Sequence, residues 1–170
     1  DCLEKVPLFE RDGRLYGGDP WKVFVGDPAN DKSMGCYAPV IVKALERAVS
    51  PSRYEADCRD MWEPVDLTGV PMEPLLRNYI DNDMPVIFWA SIDLKETCAG
   101  PEWIIADTGE VFEWRSNEHC MLLVGYDEQS YYFNDPWHDH GVIGYERELV
   151  ERRHAEQYRM AVSLKRKEKN

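Results

Sequence analysis

Between residues 37 and 49 the apolar positions Val40, Ile41, Ala44, Leu45 and Ala48 recur at helical spacing, while Lys43, Glu46 and Arg47 fall on the other face. A stripe of that period buries one side of an α-helix, so the pattern predicts a helix from about Tyr37 to Val49, with Ser33 as its cap. A second stripe, Leu75, Leu76, Tyr79 and Ile80, predicts a helix from about Met72 to Asn82. The period then changes. Pro85 to Ile92 is β-branched and aromatic, as expected of a strand covered on both faces. Two hairpins follow: Trp103–Ala106 with Glu110–Trp114 about Asp107-Thr108-Gly109, and His119–Tyr126 with Ser130–Asn134 about Asp127-Glu128-Gln129. Gly141–Tyr145 predicts a short strand, Arg147–Gln157 a charged helix, and Met160–Leu164 a strand that closes the sheet.

Helices first and then an antiparallel sheet is an α+β layout, and the 170 residues carry no internal repeat or low-complexity stretch. Residues 1–34 show no such periodicity. Asp12-Gly13, Gly17-Gly18-Asp19-Pro20 and Gly26-Asp27-Pro28 predict a string of turns, anchored on a core through Trp21, Val23, Phe24 and Val25.

Composition narrows the function classes. Six Trp, nine Tyr and five Phe exclude a disordered chain. No apolar run approaches the ~20 residues of a membrane span. The net charge of −12 repels phosphate backbones, and Lys165-Arg166-Lys167 is a short basic tail, so nucleic acid is not an expected partner. The five cysteines, Cys2, Cys36, Cys58, Cys98 and Cys120, are odd in number and include no C-x-x-C pair, which weakens a disulfide scaffold, structural zinc and thioredoxin-like chemistry alike.

Three constellations carry candidate chemistry. His119 opens the strand Met121-Leu122-Leu123-Val124-Gly125-Tyr126, and Asp135 ends the next one, an arrangement in which the acid can orient the imidazole as a general base. The plainer reading is a turn-capping Asp and an edge His. An ideal hairpin about Glu128 sets Asp135 opposite Leu122 or Leu123, three or four residues from His119. At ~3.3 Å per residue that gap is ~10–13 Å, too far for a hydrogen bond without twist or a bulge. Gly35-Cys36 stands at a predicted helix N-terminus, where free N–H groups lower a thiol pKa and favour an oxyanion. Against a nucleophilic Cys36, free Cys is commonly a small buried residue, and no Gln precedes it, Gln129 and Gln157 both lying downstream. The third is His138-Asp139-His140, either a weak H-x-H chelate or a solvated loop. Trp89, Trp103 and Trp114 read as core, and the acidic run at Asp57, Asp60 and Glu63 as a solvated loop.

Five blocks stand in order: Leu15-Tyr16-Gly17-Gly18-Asp19-Pro20; Phe24-Val25-Gly26-Asp27-Pro28; Gly35-Cys36-Tyr37-Ala38-Pro39-Val40-Ile41; Asn117-Glu118-His119-Cys120; and Phe133-Asn134-Asp135-Pro136. Together they resemble the papain-like bacterial cysteine peptidases of family 39, the bacteriocin-processing type, in its stand-alone C39-like branch. The strand Pro85–Ala90 and the ending Met160–Leu164 fit as well. The resemblance implies a single domain over residues 1–170 with a papain-like fold, helices packed on an antiparallel sheet. It implies His119 as base and Asp135 as its orienter, a peptide or protein substrate, and neither cofactor nor metal. Stand-alone relatives are often exported from bacteria, although no signal segment opens this sequence.

The family's nucleophile sits on an N-terminal helix in a Gly-Cys-Glu-like segment, and that helix should precede Asp1; Cys36 matches a different block. The expectation is therefore a domain lacking its nucleophile helix, either as a fragment or as a non-catalytic peptide-binding module on the same fold. Without that helix an apolar surface is left uncovered. Residues 1–170 alone are expected to aggregate, or to complete their core with another segment or a second copy. Dye-binding fluorescence and sedimentation test this: a monodisperse monomer that melts cooperatively and binds no hydrophobic dye would contradict it.

Overall fold

The computed structural model describes residues 2–30, 32–49, 61–138 and 140–167. It is a mixed α/β arrangement, mostly sheet with a few helices, and the chain divides into two units. The first contains residues 1–63, 99–116 and 167–170; the second contains residues 64–98 and 117–166.

In the first unit the expected string of turns contains four short strands, β1 (Lys5–Val6), β2 (Phe9–Arg11), β3 (Arg14–Gly17) and β4 (Phe24–Val25). They are too short for any period to show. β1 pairs in parallel with β4. β2 and β3 form a hairpin through Arg11 and Arg14, and β3 runs parallel to β7 (Cys98–Ile105). β8 (Val111–Ser116) completes the order β2-β3-β7-β8. A single antiparallel sheet was the sequence expectation; parallel pairs and separate sheets arise because these strands meet partners far away in the chain. Gly100 permits the close approach of β7 to β8, since a Cβ there would lie 2.6 Å from the Trp114 carbonyl oxygen.

Helix α1 (Ala38–Ala48) forms where its apolar stripe predicts, with Pro39 in the first turn, where a missing N–H costs nothing. Its N-cap is Tyr37, and Ser33 does not cap it. Ser33 Oγ instead accepts from Asp27 N at 2.8 Å and donates to Asp27 O at 2.7 Å, pinning the Gly26-Asp27 turn. Tyr37 stacks on Trp114 with ring centroids 5.4 Å apart, and Trp103 donates its indole N–H to Gly18 O at 2.9 Å. Trp103 and Trp114 are core, as the sequence suggested.

The second unit is built on the sheet order β11-β10-β9-β6-β12-β5, comprising β11 (Gly141–Glu146), β10 (Ser130–Asp135), β9 (Glu118–Tyr126), β6 (Val86–Ser91), β12 (Ala161–Arg166) and β5 (Trp62–Asp66). Two sequence expectations need correction here. The last strand, β12, does not close the sheet; it lies inside it, with Ala161, Val162 and Ser163 buried. The edge is β5, which includes Glu63 from the run expected to be a solvated loop, while Asp57 and Asp60 fall outside the described residues.

The second predicted helix ends early. Helix α2 (Met72–Asn78) gives way at Tyr79 to a single 3₁₀ turn, Ile80–Asn82. Asp83 then takes a left-handed conformation (φ 57°), reversing the chain just before Pro85. Tighter i→i+3 bonds satisfy carbonyls that a following turn would otherwise have used.

Val86, Phe88, Ala90, Met121, Leu123, Tyr131 and Phe133 form the core together with Leu75 and Leu76 of α2 and Val150 of α3 (Arg147–Glu156). Phe88 lies 5.3 Å from Phe133 and stacks at 3.8 Å on His154 of α3. Buried at 2% exposure, His154 donates Nδ1–H to Trp89 O at 2.8 Å. Desolvation pushes the imidazole pKa from its ordinary 6.5 down to about 4. A base whose pKa is depressed by folding stabilises the native state above 6.5, and that contribution is lost as pH falls toward about 4. In urea unfolding, the wild type should therefore lose on the order of 3 kcal/mol relative to His154→Leu as pH falls through that window. A pH-independent difference would mean that the ring is solvated.

Candidate active site

His119 is the second residue of β9, and its neighbours across the sheet are set by register. On one side, His119 pairs with Ala90 of β6, a small residue that leaves the imidazole room. On the other side, Tyr131 pairs with Tyr126 and Tyr132 with Gly125; the register then shifts, and Phe133 pairs with Leu123 and Asn134 with Leu122. Val124 is the extra residue, so β9 carries a bulge. Continued without it, the first register would put Asp135 opposite Leu122, on the other face from His119. Shifted by one, Asp135 comes level with Met121, two residues from His119 and on the same face. The gap that an ideal hairpin leaves is thereby closed: His119 Nε2 lies 2.6 Å from Asp135 Oδ1.

The carboxylate of Asp135 is fully buried, while the His119 side chain retains 10% exposure. Asp135 Oδ1 also accepts the Trp137 backbone N–H at 2.9 Å. Its Oδ2 lies 3.1 Å from His140 Nδ1 and accepts the Tyr145 hydroxyl at 3.2 Å. Burial alone would raise this pKa. The hydrogen bonds from His119, Trp137 N–H and His140 outweigh it and hold the group below the ordinary carboxylate range. Tyr145 remains a donor at neutral pH because burial first, and the Asp135 charge second, push its hydroxyl up to about 12.

A carboxylate only accepts, so His119 donates Nε2–H and keeps its lone pair on Nδ1. The Trp137 ring stands edge-on to the imidazole at 6.0 Å. The arrangement is a histidine held in one tautomer, with a basic nitrogen free and an anion positioned to stabilise the imidazolium.

The other candidates fall elsewhere. Cys36 belongs to the first unit, is 6% exposed, and precedes the N-cap of α1. Cys120 adjoins His119 in sequence but points to the opposite face of β9, level with Trp89. On that face Ile87, Cys120, Leu122 and Asn134, with Asp135, Pro136 and Gly141, line a hollow of about 400 Å³. Cys58 and Asp139 lie outside the described residues. His138 and His140 do not act as a pair. His138, at φ 39°, sits against the Trp137 ring, whereas His140 turns to Asp135. Among the described residues no three His, Cys, Asp or Glu side chains are grouped to hold a metal.

Sequence reasoning missed Tyr145 and Glu118. Strand alternation carried a signal for Tyr145, because Asp135 pairs with Gly141 and residues 141, 143 and 145 share a face. Glu118 keeps an exposed flank, yet desolvation pushes its carboxyl up to about 8, against a smaller opposite pull from the Trp89 indole.

Comparison with known proteins gives two matches. The model of the Peptidase_C39 like family matches residues 4–163. The fold is similar to that of a Bacillus anthracis protein described as a C39-like peptidase, with a TM-score of 0.77 and 24% identity, covering 98% of this chain and 77% of that one. At that identity the likeness speaks for the fold. No curated protein matches.

The raised carboxyl of Glu118 has a testable sign. A carboxyl whose pKa rises on folding favours the native state at low pH and weakens it as pH climbs from 4.5 toward about 8. Glu118→Gln should therefore gain melting temperature relative to wild type across that interval. Parallel curves for the two proteins would show that the carboxyl is hydrated.

Proposed function

The chain belongs to the C39-like peptidase family, and from that premise we propose that it is the base-bearing part of a papain-like cysteine peptidase. His119 is its general base and Asp135 the orienting acid. The observation that carries this reading is the 2.6 Å bond from His119 Nε2 to a buried carboxylate. The nucleophile is a cysteine on a segment upstream of Asp1, and no cofactor takes part.

The reaction follows from the tautomer. His119 Nδ1 removes the thiol proton, and the sulfur attacks the carbonyl carbon of a peptide bond, forming a C–S bond and an oxyanion. The imidazolium is stabilised by Asp135 through Nε2–H. As the oxyanion collapses, the C–N bond breaks and the Nδ1 proton passes to the leaving nitrogen. Water, deprotonated at the same Nδ1, then attacks the thioester, the C–S bond breaks, and the thiol is restored. Desolvation around Asp135 strengthens its hold on the imidazolium.

In the full-length gene product, peptide hydrolysis should be abolished by thiol alkylation and should survive Cys36→Ser. His119→Ala should lower kcat/KM by about 10²–10⁴. Undiminished turnover in His119→Ala would remove the reading. Should the wild type bind peptide without cleaving it, with binding that survives both His119→Ala and thiol blockage, the chain is a non-catalytic peptide-binding module.

A further inference from the structure

The far side of Asp135 is occupied by a second histidine, for which the two-residue mechanism has no use. His140 follows β10 in the segment that turns into β11, and its Nδ1 reaches Asp135 Oδ2 at 3.1 Å. Its other nitrogen, Nε2, faces Asp93 Oδ1 at 3.8 Å. Asp93 leaves β6 in a left-handed conformation (φ 53°), and its Oδ2 is bound by Lys95 Nζ at 2.7 Å. His119, Asp135, His140 and Asp93 thus stand in one line, with the Tyr145 hydroxyl beside His140 on Asp135 Oδ2.

A carboxylate is free to rotate about its Cβ–Cγ bond, and rotation would carry Oδ1 off His119 Nε2. The Trp137 N–H and the His119 N–H both hold Oδ1, and a half turn that exchanges the two oxygens restores the same bonds, so the motion that matters is a lesser turn. That lesser turn is opposed by the donors on Oδ1 and, on the far oxygen, by His140 and Tyr145, which bind Oδ2.

We propose that His140 is a positioning residue. Anchored between Asp135 and Asp93, it donates Nδ1–H to Asp135 Oδ2 and fixes the carboxylate rotation that keeps His119 in its Nε2–H tautomer. The inference rests on the peptidase reading for its purpose but not for its test. The charged and titratable groups facing His140 are Asp135 and Tyr145 on the sheet and Asp93, itself paired with Lys95, on the turn after β6.

The test is ¹⁵N-resolved NMR of the histidine rings across a pH titration, on wild type, His140→Asn, His140→Gln and His140→Ala. The Asn side chain places its N–H near the position of Nδ1 and keeps the Asp135 bond; Gln places it near Nε2 and loses that bond. In His140→Gln and His140→Ala, His119 should acquire a population protonated at Nδ1, and its titration midpoint should fall by about one pH unit as the carboxylate turns away. His140→Asn should behave as wild type. Should His140→Ala fail to fold, the Asn and Gln variants decide alone. A purely electrostatic neighbour would give the opposite sign: loss of a donor would concentrate charge on Oδ1 and raise the midpoint with the tautomer intact. That result, or no change in either variant, overturns the proposal. In the full-length protein, His140→Gln should lower kcat at unchanged KM, and His140→Asn should restore it. Absence of wild-type turnover would count against the peptidase reading alone, because the NMR result stands without it.

Discussion

Everything at the candidate site depends on one extra residue in β9. Val124 shifts the β9–β10 register between Tyr132 and Phe133, and a shift of one residue in a strand exchanges its faces. On the near side of the bulge, Tyr131 and Tyr126 pair as in a regular hairpin. Beyond it, Phe133 enters the core opposite Leu123, and Asp135 arrives on the face that carries His119. The same displacement packs the core and assembles the pair. Stability and chemistry share a constraint.

That shared face explains how a buried carboxylate is tolerated. Taking an anion out of water is expensive unless its oxygens are hydrogen-bonded. Asp135 accepts from His119, the Trp137 N–H, His140 and Tyr145, two donors on each oxygen. β9 supplies the first and β11 the last, while Trp137 and His140 come from the segment between β10 and β11. Because Asp135 ends β10, the chain that follows is free to fold back over it, which a mid-strand position would not allow. His154 makes the contrast: burial disfavours the charged form of both groups, but the hydrogen bonds on Asp135 outweigh it, whereas at His154 desolvation prevails and keeps the imidazole neutral. His154 Nδ1–H meets the Trp89 carbonyl, and the Arg159 charge adds to the effect of burial.

Local signals were reliable where one element explains its own residues. The stripe from Val40 to Ala48 gave α1, and the strands β6, β9 and β10 fall within a residue or so of their predicted bounds. They failed where a residue had a distant partner. Ser33 has the chemistry of a helix cap, but Gly26 and Asp27 lie closer to it. His140 has the chemistry of a metal ligand, but a carboxylate claims it first. β1 to β4 are two to four residues long, below the length at which alternation shows, and they exist through pairing, β1 with β4, β2 with β3, and β3 with the distant β7.

By itself, the sequence determined the longer periodic elements, among them α1, β6, β9 and β10, which side chains could serve as acid, base or thiol, and that His119 and Asp135 bound neighbouring strands. These follow from backbone period and side-chain chemistry, both local properties. Tertiary structure decided which faces meet. The bulge at Val124, the place of β12 within its sheet, and the turn of His140 toward Asp135 are choices among pairings that differ by one residue of register or one loop conformation. Such alternatives share a composition and a period, and they are separated only by the packing of Phe133 and Leu123 and the hydrogen bonds on Asp135. Those energies come into being when the strands are side by side.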